Sequence, residues 1–282
     1  MSPYWEKRFA QQSFACRSGR GPMMAAWEVR DFMRGAKRHS ARRLYCLKVD
    51  VAGFFPSIDR GILKGIILRK LKHPLFRYLV IKTIDHKATD KGNYILKSKR
   101  HMWQAVAKHK SLFHTETGKG LPIGNLTSQF FANIYLNELD QALIHHIKKV
   151  YWQRYVDDLL FVSEDLDELR ALPLFIDGFL RENLALKLNP KKTILQPACR
   201  GVDHLGFFIK PYYMLVRRKN VRHCKAKLAG RLKKGYSPHR RDAMMASYLG
   251  LFGHGDGFRL CQAIRGYSLA VDLIGESNNL KP

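Results

Sequence analysis

Two adjacent carboxylates stand where two apolar segments of the chain meet. Asp157 and Asp158 separate the apolar runs 150–156 and 159–163, which is the pattern of a β-hairpin with two acids at its tip. Like charges this close raise each other's pKa, so a positive group should offset them. A divalent cation bound through oxygen ligands would serve this purpose. The competing interpretation is an ordinary turn, because Asp is a favoured turn residue.

A third acid, Asp50, also ends an apolar segment. The run 44–51 (LYCLKVDV) predicts a buried strand that ends at Asp50. An aspartate at the end of one strand and two at the tip of a neighbouring hairpin could converge on one point. Phosphoryl transfer with two metal ions needs such a cluster, because carboxylates bridge the ions that activate the attacking hydroxyl and neutralise the leaving group. Taken alone, Asp50 is better explained as a turn or capping residue, and only the two acidic segments together favour a metal site.

The elements around these acids mix strands and helices without strict alternation. A long helix is predicted over 125–150, where Asn125 can cap the first turn and apolar residues recur at helical spacing. A second hairpin of strands is predicted within 201–216, and helices from beyond Val221 to Asn278. The basic stretch 87–110 carries Gly, Asn and Ser, which indicates a loop-rich insertion. Together they predict an α+β fold with a sheet backed by helices.

Composition indicates a folded and strongly basic protein. The 282 residues are 46% hydrophobic and carry 50 Lys and Arg against 23 Asp and Glu, a formal net charge of +27. This excess indicates a polyanionic partner, nucleic acid first and an anionic membrane surface second. Residues 204–241 contain twelve Lys or Arg and neither Asp nor Glu, which favours a polyphosphate-facing surface over a solvated face of mixed charge.

The lack of a targeting segment and the pattern of cysteines indicate where the protein resides. The sequence has no apolar run of about 18 residues and no signal-peptide core, so we expect neither a membrane span nor secretion. Its five cysteines are odd in number and widely spaced, which indicates reduced thiols in a cytosolic protein.

Five segments of the sequence resemble, in order, the successive motifs of reverse transcriptases. They are LKVDVAGFFPSID, GLPIGNLTSQFFANIYLNELD, YVDD, LKLNPKKT and HLGFFI. The resemblance covers roughly residues 10–270 and implies a right-hand polymerase architecture with fingers, a palm with an antiparallel sheet, and a thumb. It implies partial fingers at 1–43, a palm at 44–209 with a basic loop insertion at about 86–120, and a basic, helical, thumb-like region at 210–282. The family usually has a further N-terminal segment, whereas this sequence begins at about the second motif. Either the fingers are N-terminally truncated, or the true start lies further upstream, or another segment takes the place of the missing one.

The resemblance also assigns catalytic roles at matching positions. Asp50, Asp157 and Asp158 match the metal-binding acids, with the Val51 carbonyl as a further ligand. They imply two Mg²⁺ ions, with Mn²⁺ as a substitute. Lys192 matches a motif lysine proposed to protonate the leaving pyrophosphate, and the alternative is an ordinary exposed lysine.

Further positions match the nucleotide site of the family. Phe55 matches the aromatic gate that excludes a ribose 2′-hydroxyl, whereas core packing suffices for Phe54. The segment 123–129 matches the part that lies against the nascent base pair, and two arginines match a basic block of the fingers that could meet phosphates. The nucleotide-binding set is therefore Phe55, Ile123, Gly124, Gln129, Arg17 and Arg20.

The resemblance assigns binding of the nucleic-acid duplex to the C-terminal third of the chain. HLGFFI resembles the primer grip, and the acid-free stretch after it matches a sequence-blind thumb surface. The residues concerned are His204, Leu205, Gly206, Arg217, Arg218, Lys219, Arg222, Lys225 and Lys227.

Within the family, SFACRSGRGP and IGNLTSQ look like the reverse transcriptases of diversity-generating retroelements, with Ile123 where other groups carry Gln. This implies error-prone copying of a template-repeat RNA from a DNA or RNA primer with dNTPs. It also implies a small basic accessory protein, no membrane partner, and the cytoplasm of a bacterial, archaeal or phage-encoded system. The alternatives are a retron or group II intron-type enzyme and a truncated, catalytically weak relative that only binds RNA. A generic basic RNA-binding module predicts no acid cluster and does not account for YVDD.

Overall fold

The computed structural model describes residues 2–39, 42–87, 89–90, 107, 111–234 and 238–279 of the chain. The chain divides into two compact units, each built from two separate stretches. The first unit contains Met1–Pro22 and Tyr45–Gln196, and the second contains Met23–Leu44 and Pro197–Pro282. The expected boundaries of fingers, palm and thumb at residues 43 and 209 are functional assignments and stay predictions. Most of the expected insertion at about 86–120 lies outside the described residues.

Helices and strands follow one another in mixed order. The helices are α1 (Ser2–Glu6), α2 (Pro22–His39), α3 (Phe54–Ser57), α4 (Arg60–Lys70), α5 (Pro74–Asp85), α6 (Leu126–His146), α7 (Leu166–Leu184), α8 (Arg218–Lys234), α9 (Pro238–Gly253) and α10 (Phe258–Asn279). The strands are β1 (Tyr45–Asp50), β2 (Tyr151–Tyr155), β3 (Asp158–Ser163), β4 (Ile194–Pro197), β5 (Val202–His204), β6 (Phe207–Ile209) and β7 (Met214–Val216). Short 3₁₀ turns cover Leu112–His114, Pro190–Lys192 and Ala198–Arg200.

The sheet of the first unit has the strand order β2-β3-β1-β4. Strand β3 pairs antiparallel with both β1 and β2, and its residues 159–163 are buried because helices cover the sheet. The predicted strand at 44–51 and the predicted hairpin are both confirmed. One detail differs: Asp158 is the first residue of β3 and pairs with Tyr155, so the turn consists of Val156 and Asp157.

The predicted long helix is confirmed as α6, but it ends four residues earlier than expected. Leu139 and Leu143 are fully buried along it, as the helical spacing predicts. The helix ends at His146 because Ile147 turns to extended backbone, and its amide bonds to the Leu143 carbonyl. His145 and His146 form the end of the last turn.

In the second unit, the segment predicted as a hairpin forms three antiparallel strands in the order β5-β6-β7. Leu205 and Gly206 connect the first two strands with φ values of 50° and 91°, the positive pair that a tight hairpin turn of type I′ requires. The helices predicted beyond Val221 are confirmed as α8, α9 and α10. Within the described part of the chain, none of the helices combines the length and apolar character that a membrane crossing requires.

Candidate active site

Three aspartates meet at one end of the sheet in the first unit. Asp50, the last residue of β1, lies opposite Asp158, the first residue of β3. Asp157 occupies the adjoining turn, and its carbonyl accepts a hydrogen bond of 3.2 Å from the Val51 amide. Asp50 is only 4% exposed. The structure therefore brings together the three acids that the sequence singled out.

The environment of these acids disfavours further negative charge. Burial raises the pKa of Asp157 to about 6, and the neighbouring charges of Asp50 and Asp158 add to this effect. Burial also raises the pKa of Asp158, while the Lys48 ammonium acts in the opposite direction. A cation bound here would relieve the repulsion between the carboxylates. The oxygen-only donor set fits a hard divalent ion such as Mg²⁺. Within the described residues, however, no three acidic, His or Cys side chains are already arranged as ligands of one ion.

Two lysines lie against the acids. Lys192 Nζ is 2.8 Å from Asp50 Oδ1, and this hydrogen bond raises the pKa of Lys192. Lys48 Nζ is 3.5 Å from Asp158 Oδ2. Lys48 was not predicted, although it lies two residues before Asp50 on the same strand. Because side chains on a strand alternate with period two, that spacing places both residues on one face and was a usable signal.

The turn that carries Lys192 is fixed to the end of β1. The Asn189 amide donates to the Asp50 carbonyl at 2.8 Å, and the Asn189 side chain caps the turn by accepting from the Lys191 amide. Its Nδ2 also lies 3.4 Å from Asp50 Oδ2. Asn189 belongs to the LNPKK motif. Sequence spacing alone gives no reason to place it beside Asp50, which lies 139 positions earlier.

A cleft of about 760 Å³ opens beside the acids. Its lining includes Asp50, Val51, Phe55, Ile123, Asp157 and Lys192. Phe55 is half-buried there, whereas Phe54 is buried in the core as expected. Ile123 is 70% exposed. Gly124 follows it with φ 105°, a conformation that favours glycine. Gln129 lies half-buried in the first turns of α6.

Both arginines predicted to meet phosphates have partners within the protein, and their phosphate contacts stay predictions. The Arg17 side chain is only 7% exposed, and its guanidinium bonds to the Glu6 carboxylate at 2.7 Å and to the Ala10 and Ser13 carbonyls. These contacts use its donors internally, so Arg17 connects segments of the N-terminal region. Arg20 bonds to the Gln11 carbonyl, and its guanidinium lies 5.0 Å from the Phe14 ring centre. The spacing of charges in the sequence gives no sign of these internal acceptors.

The second unit carries the predicted nucleic-acid residues. His204 is buried, so its side chain is not available for direct contact with nucleic acid. It could affect such contact only by supporting the Leu205–Gly206 turn that follows it. Arg217 pairs with Asp203. On α8, Cys224 and Leu228 are buried, and the Lys and Arg side chains between residues 218 and 227 are exposed. They are Arg218, Lys219, Arg222, Lys225 and Lys227.

Comparison with known proteins gives consistent results. The family model described as reverse transcriptase (RNA-dependent DNA polymerase) matches residues 1–209. The retron Mx65 reverse transcriptase of Myxococcus xanthus is 28% identical over 170 residues, which cover 59% of this chain and 36% of that protein. The putative COX1/OXI3 intron 2 protein of Saccharomyces cerevisiae is 22% identical over 247 residues, covering 64% of this chain and 27% of that protein. This chain thus spans well under two thirds of the length of these relatives.

The fold also resembles that of a solved structure. Apo telomerase from Candida tropicalis matches with a TM-score of 0.50 at 14% identity, over 98% of this chain and 48% of that one. The similarity concerns the fold alone and confirms the expected fold class. With a family model that matches residues 1–209, the chain belongs to the reverse transcriptase (RNA-dependent DNA polymerase) family.

Proposed function

We propose that this chain is an RNA-directed DNA polymerase that copies an RNA template into cDNA. The observation that carries the proposal is the register that sets Asp50 opposite Asp158, with Asp157 in the adjoining turn beside an open cleft. Asp50, Asp157, Asp158 and the Val51 carbonyl would hold two Mg²⁺ ions. When bound, Mg²⁺ activates the primer hydroxyl and neutralises charge on the leaving pyrophosphate. Phe55, on the cleft wall, would exclude a ribose 2′-hydroxyl by filling its space.

The test is primer extension on an RNA template with dNTPs and Mg²⁺, comparing the wild type with Asp157→Ala. The assay is run with and without a small basic accessory protein. We expect extension by the wild type and none by Asp157→Ala, because the variant lacks a central metal ligand. Tight RNA binding without extension in either condition would contradict the proposal and favour the RNA-binding relative.

Lys192 is proposed to protonate the leaving pyrophosphate. In this structure its ammonium bonds to Asp50, and Lys192 lines the cleft beside the acids. We expect Lys192→Met to lower kcat by about 10²-fold with little change in template affinity, because general acid catalysis is worth at least that factor. Lys191→Met removes the same charge from the same turn and is expected to cost under about threefold. Equal losses in single-turnover measurements would contradict the role.

We infer further that the enzyme is of the diversity-generating type and copies a template-repeat RNA with errors at adenine. Ile123 supports this, since an exposed apolar side chain at the cleft cannot donate a hydrogen bond to the base pair, as Gln can. We expect Ile123→Gln to lower misincorporation opposite adenine by about tenfold, the value of one well-placed hydrogen bond. Sequencing of cDNA copied from one RNA measures this rate, and errors opposite uracil serve as the internal control.

The second candidate is a retron or intron-type reverse transcriptase, which the similarity to the Myxococcus and Saccharomyces proteins supports. The same sequencing experiment separates the two candidates. A low, even error rate in the wild type, unchanged by Ile123→Gln, would favour the retron or intron type.

Helix α8 is proposed to bind the phosphate backbone of the template and primer without reading sequence. We expect Arg218→Ala combined with Arg222→Ala to weaken RNA binding and to lower the slope of log Kd against log salt by about 1.5, since each lost phosphate contact removes 0.7–0.9 from that slope. Lys148→Ala with Lys149→Ala removes equal charge from an exposed site elsewhere and is the control. Titrations at several salt concentrations measure the slopes, and equal slopes would contradict the assignment.

A further inference from the structure

A fully buried arginine contacts the turn that carries Asp157. Arg154 lies on β2, and its Nη1 donates to the Val156 carbonyl at 2.9 Å. Val156 is the first residue of the turn and has φ 56°. A β-branched residue adopts this left-handed conformation only when its surroundings hold it there. The bond from Arg154 is one such restraint.

The other donors of Arg154 fix its guanidinium from three directions. Nε and Nη2 bind both oxygens of Asp140 on α6 at 2.7 and 2.5 Å. Nη2 also donates to Ser13 Oγ at 3.0 Å, and Nη1 lies 3.3 Å from Asn133 Oδ1. This set requires the planar fork of an arginine, because the single ammonium of a lysine cannot reach all these acceptors. The position of the Arg154 guanidinium is therefore fixed, and the turn is hydrogen-bonded to it.

The restraint continues from the turn to the neighbouring strand. Val51, just after β1, donates its amide hydrogen to the Asp157 carbonyl. A change in the Val156–Asp157 turn would therefore alter the spacing between Asp157 and Asp50. A buried charge is a costly way to fill space, since apolar residues of similar volume often replace such pairs without loss of stability. Packing alone does not explain this choice of residue.

We propose that Arg154 is a positioning residue that sets the place of the Asp157 carboxylate through the Val156 carbonyl. The effect on metal binding rests on the polymerase function proposed above, whereas the effect on the turn does not. The sequence does not single out Arg154, because a charged residue on a strand beside YVDD suggests an exposed position.

Hydrogen exchange at the Val51 amide is the direct test, because this amide bonds to the turn. The variants are Arg154→Lys and the double variant Arg154→Met with Asp140→Leu, which replaces the pair by apolar groups and keeps the core filled. Ser13→Ala is the control, since it removes a contact of Nη2 on the same guanidinium and keeps the Nη1 contact with the turn. Exchange is normalised to the Leu160 amide in the central strand β3, which reports overall stability.

We expect exchange at Val51 to rise about tenfold relative to Leu160 in both Arg154 variants and to stay unchanged in Ser13→Ala. Mn²⁺ binding, followed by electron paramagnetic resonance, should weaken about tenfold in the same two variants, as is usual when a residue that orients a metal ligand is lost. An unchanged ratio of Val51 to Leu160 exchange, or an equal rise in Ser13→Ala, would overturn the proposal. If the wild type binds no Mn²⁺ while Val51 responds as expected, the positioning role stands and the two-metal function fails.

Discussion

Asp50→Asn is expected to lower the rate of primer extension by roughly 10³-fold and to leave the Kd for RNA unchanged. The substitution keeps the shape of the side chain but removes the charge that pairs with Lys192 and is proposed to bind metal. Metal ions stabilise charge in the transition state by several kcal/mol, and about 4 kcal/mol corresponds to that factor. Single-turnover extension and a separate RNA titration measure the two quantities.

Asp59→Asn is the matched control for Asp50→Asn. The substitution is chemically the same and lies nine residues later in the chain. The Asp59 side chain caps α4 by accepting a hydrogen bond from the Ile62 amide. Asn caps a helix as well as Asp does, so extension should stay within about twofold of the wild type. A wild-type rate in Asp50→Asn would exclude Asp50 from the catalytic site. Equal losses in both variants would indicate a general effect on folding.

Asp140→Asn is expected to lower the free energy of unfolding by about 3–5 kcal/mol. Asp140 and Arg154 are both fully buried, and removing one charge leaves the other without compensation in the interior. Most domains have only about 5–15 kcal/mol of stability in total, so this loss is a large fraction. Urea unfolding, with the slope against urea concentration as a check on two-state behaviour, measures it.

The control for Asp140→Asn is Asp167→Asn, which breaks an ion pair with Arg170 on the surface of α7. Both side chains of that pair are more than half exposed, so water already solvates them. We expect a loss below about 1 kcal/mol. If the two variants lost similar stability, the buried pair would contribute no more than a surface pair.

The fold could be predicted where local pattern decides structure. Strand β1, the acidic hairpin and α6 follow from alternation, apolar runs and helical spacing, which act within a few residues. The end of α6 was placed too late because Ile147 and Val150 continue the apolar pattern although the backbone has already turned. The third strand of the second unit was missed because each of its strands is only three residues long.

The site could be predicted only in part, for a different reason. The three aspartates carry a local signal, since each ends or begins an apolar run. The partners of Asp50 come from the turn at Asn189–Lys192, and distances in sequence of about 140 residues leave no pattern to detect. The resemblance to the family predicts that Lys192 belongs to the site, whereas no feature of the sequence predicts this for Asn189. For Arg17 the sequence indicated charge but not the carbonyl groups that satisfy it.

The discontinuity of the second unit has a consequence for synthesis on the ribosome. Helix α2 contributes to that unit, and its Trp27 Nε1 bonds to the His254 carbonyl at 3.0 Å. Translation proceeds at about 5–20 residues per second, so α2 emerges roughly 10–30 s before the chain reaches residue 197. During this interval the apolar side of α2, which includes Val29 and Met33, lacks the partners that the finished unit provides. Nascent chains of this protein should therefore need protection from aggregation until the C-terminal third has been made.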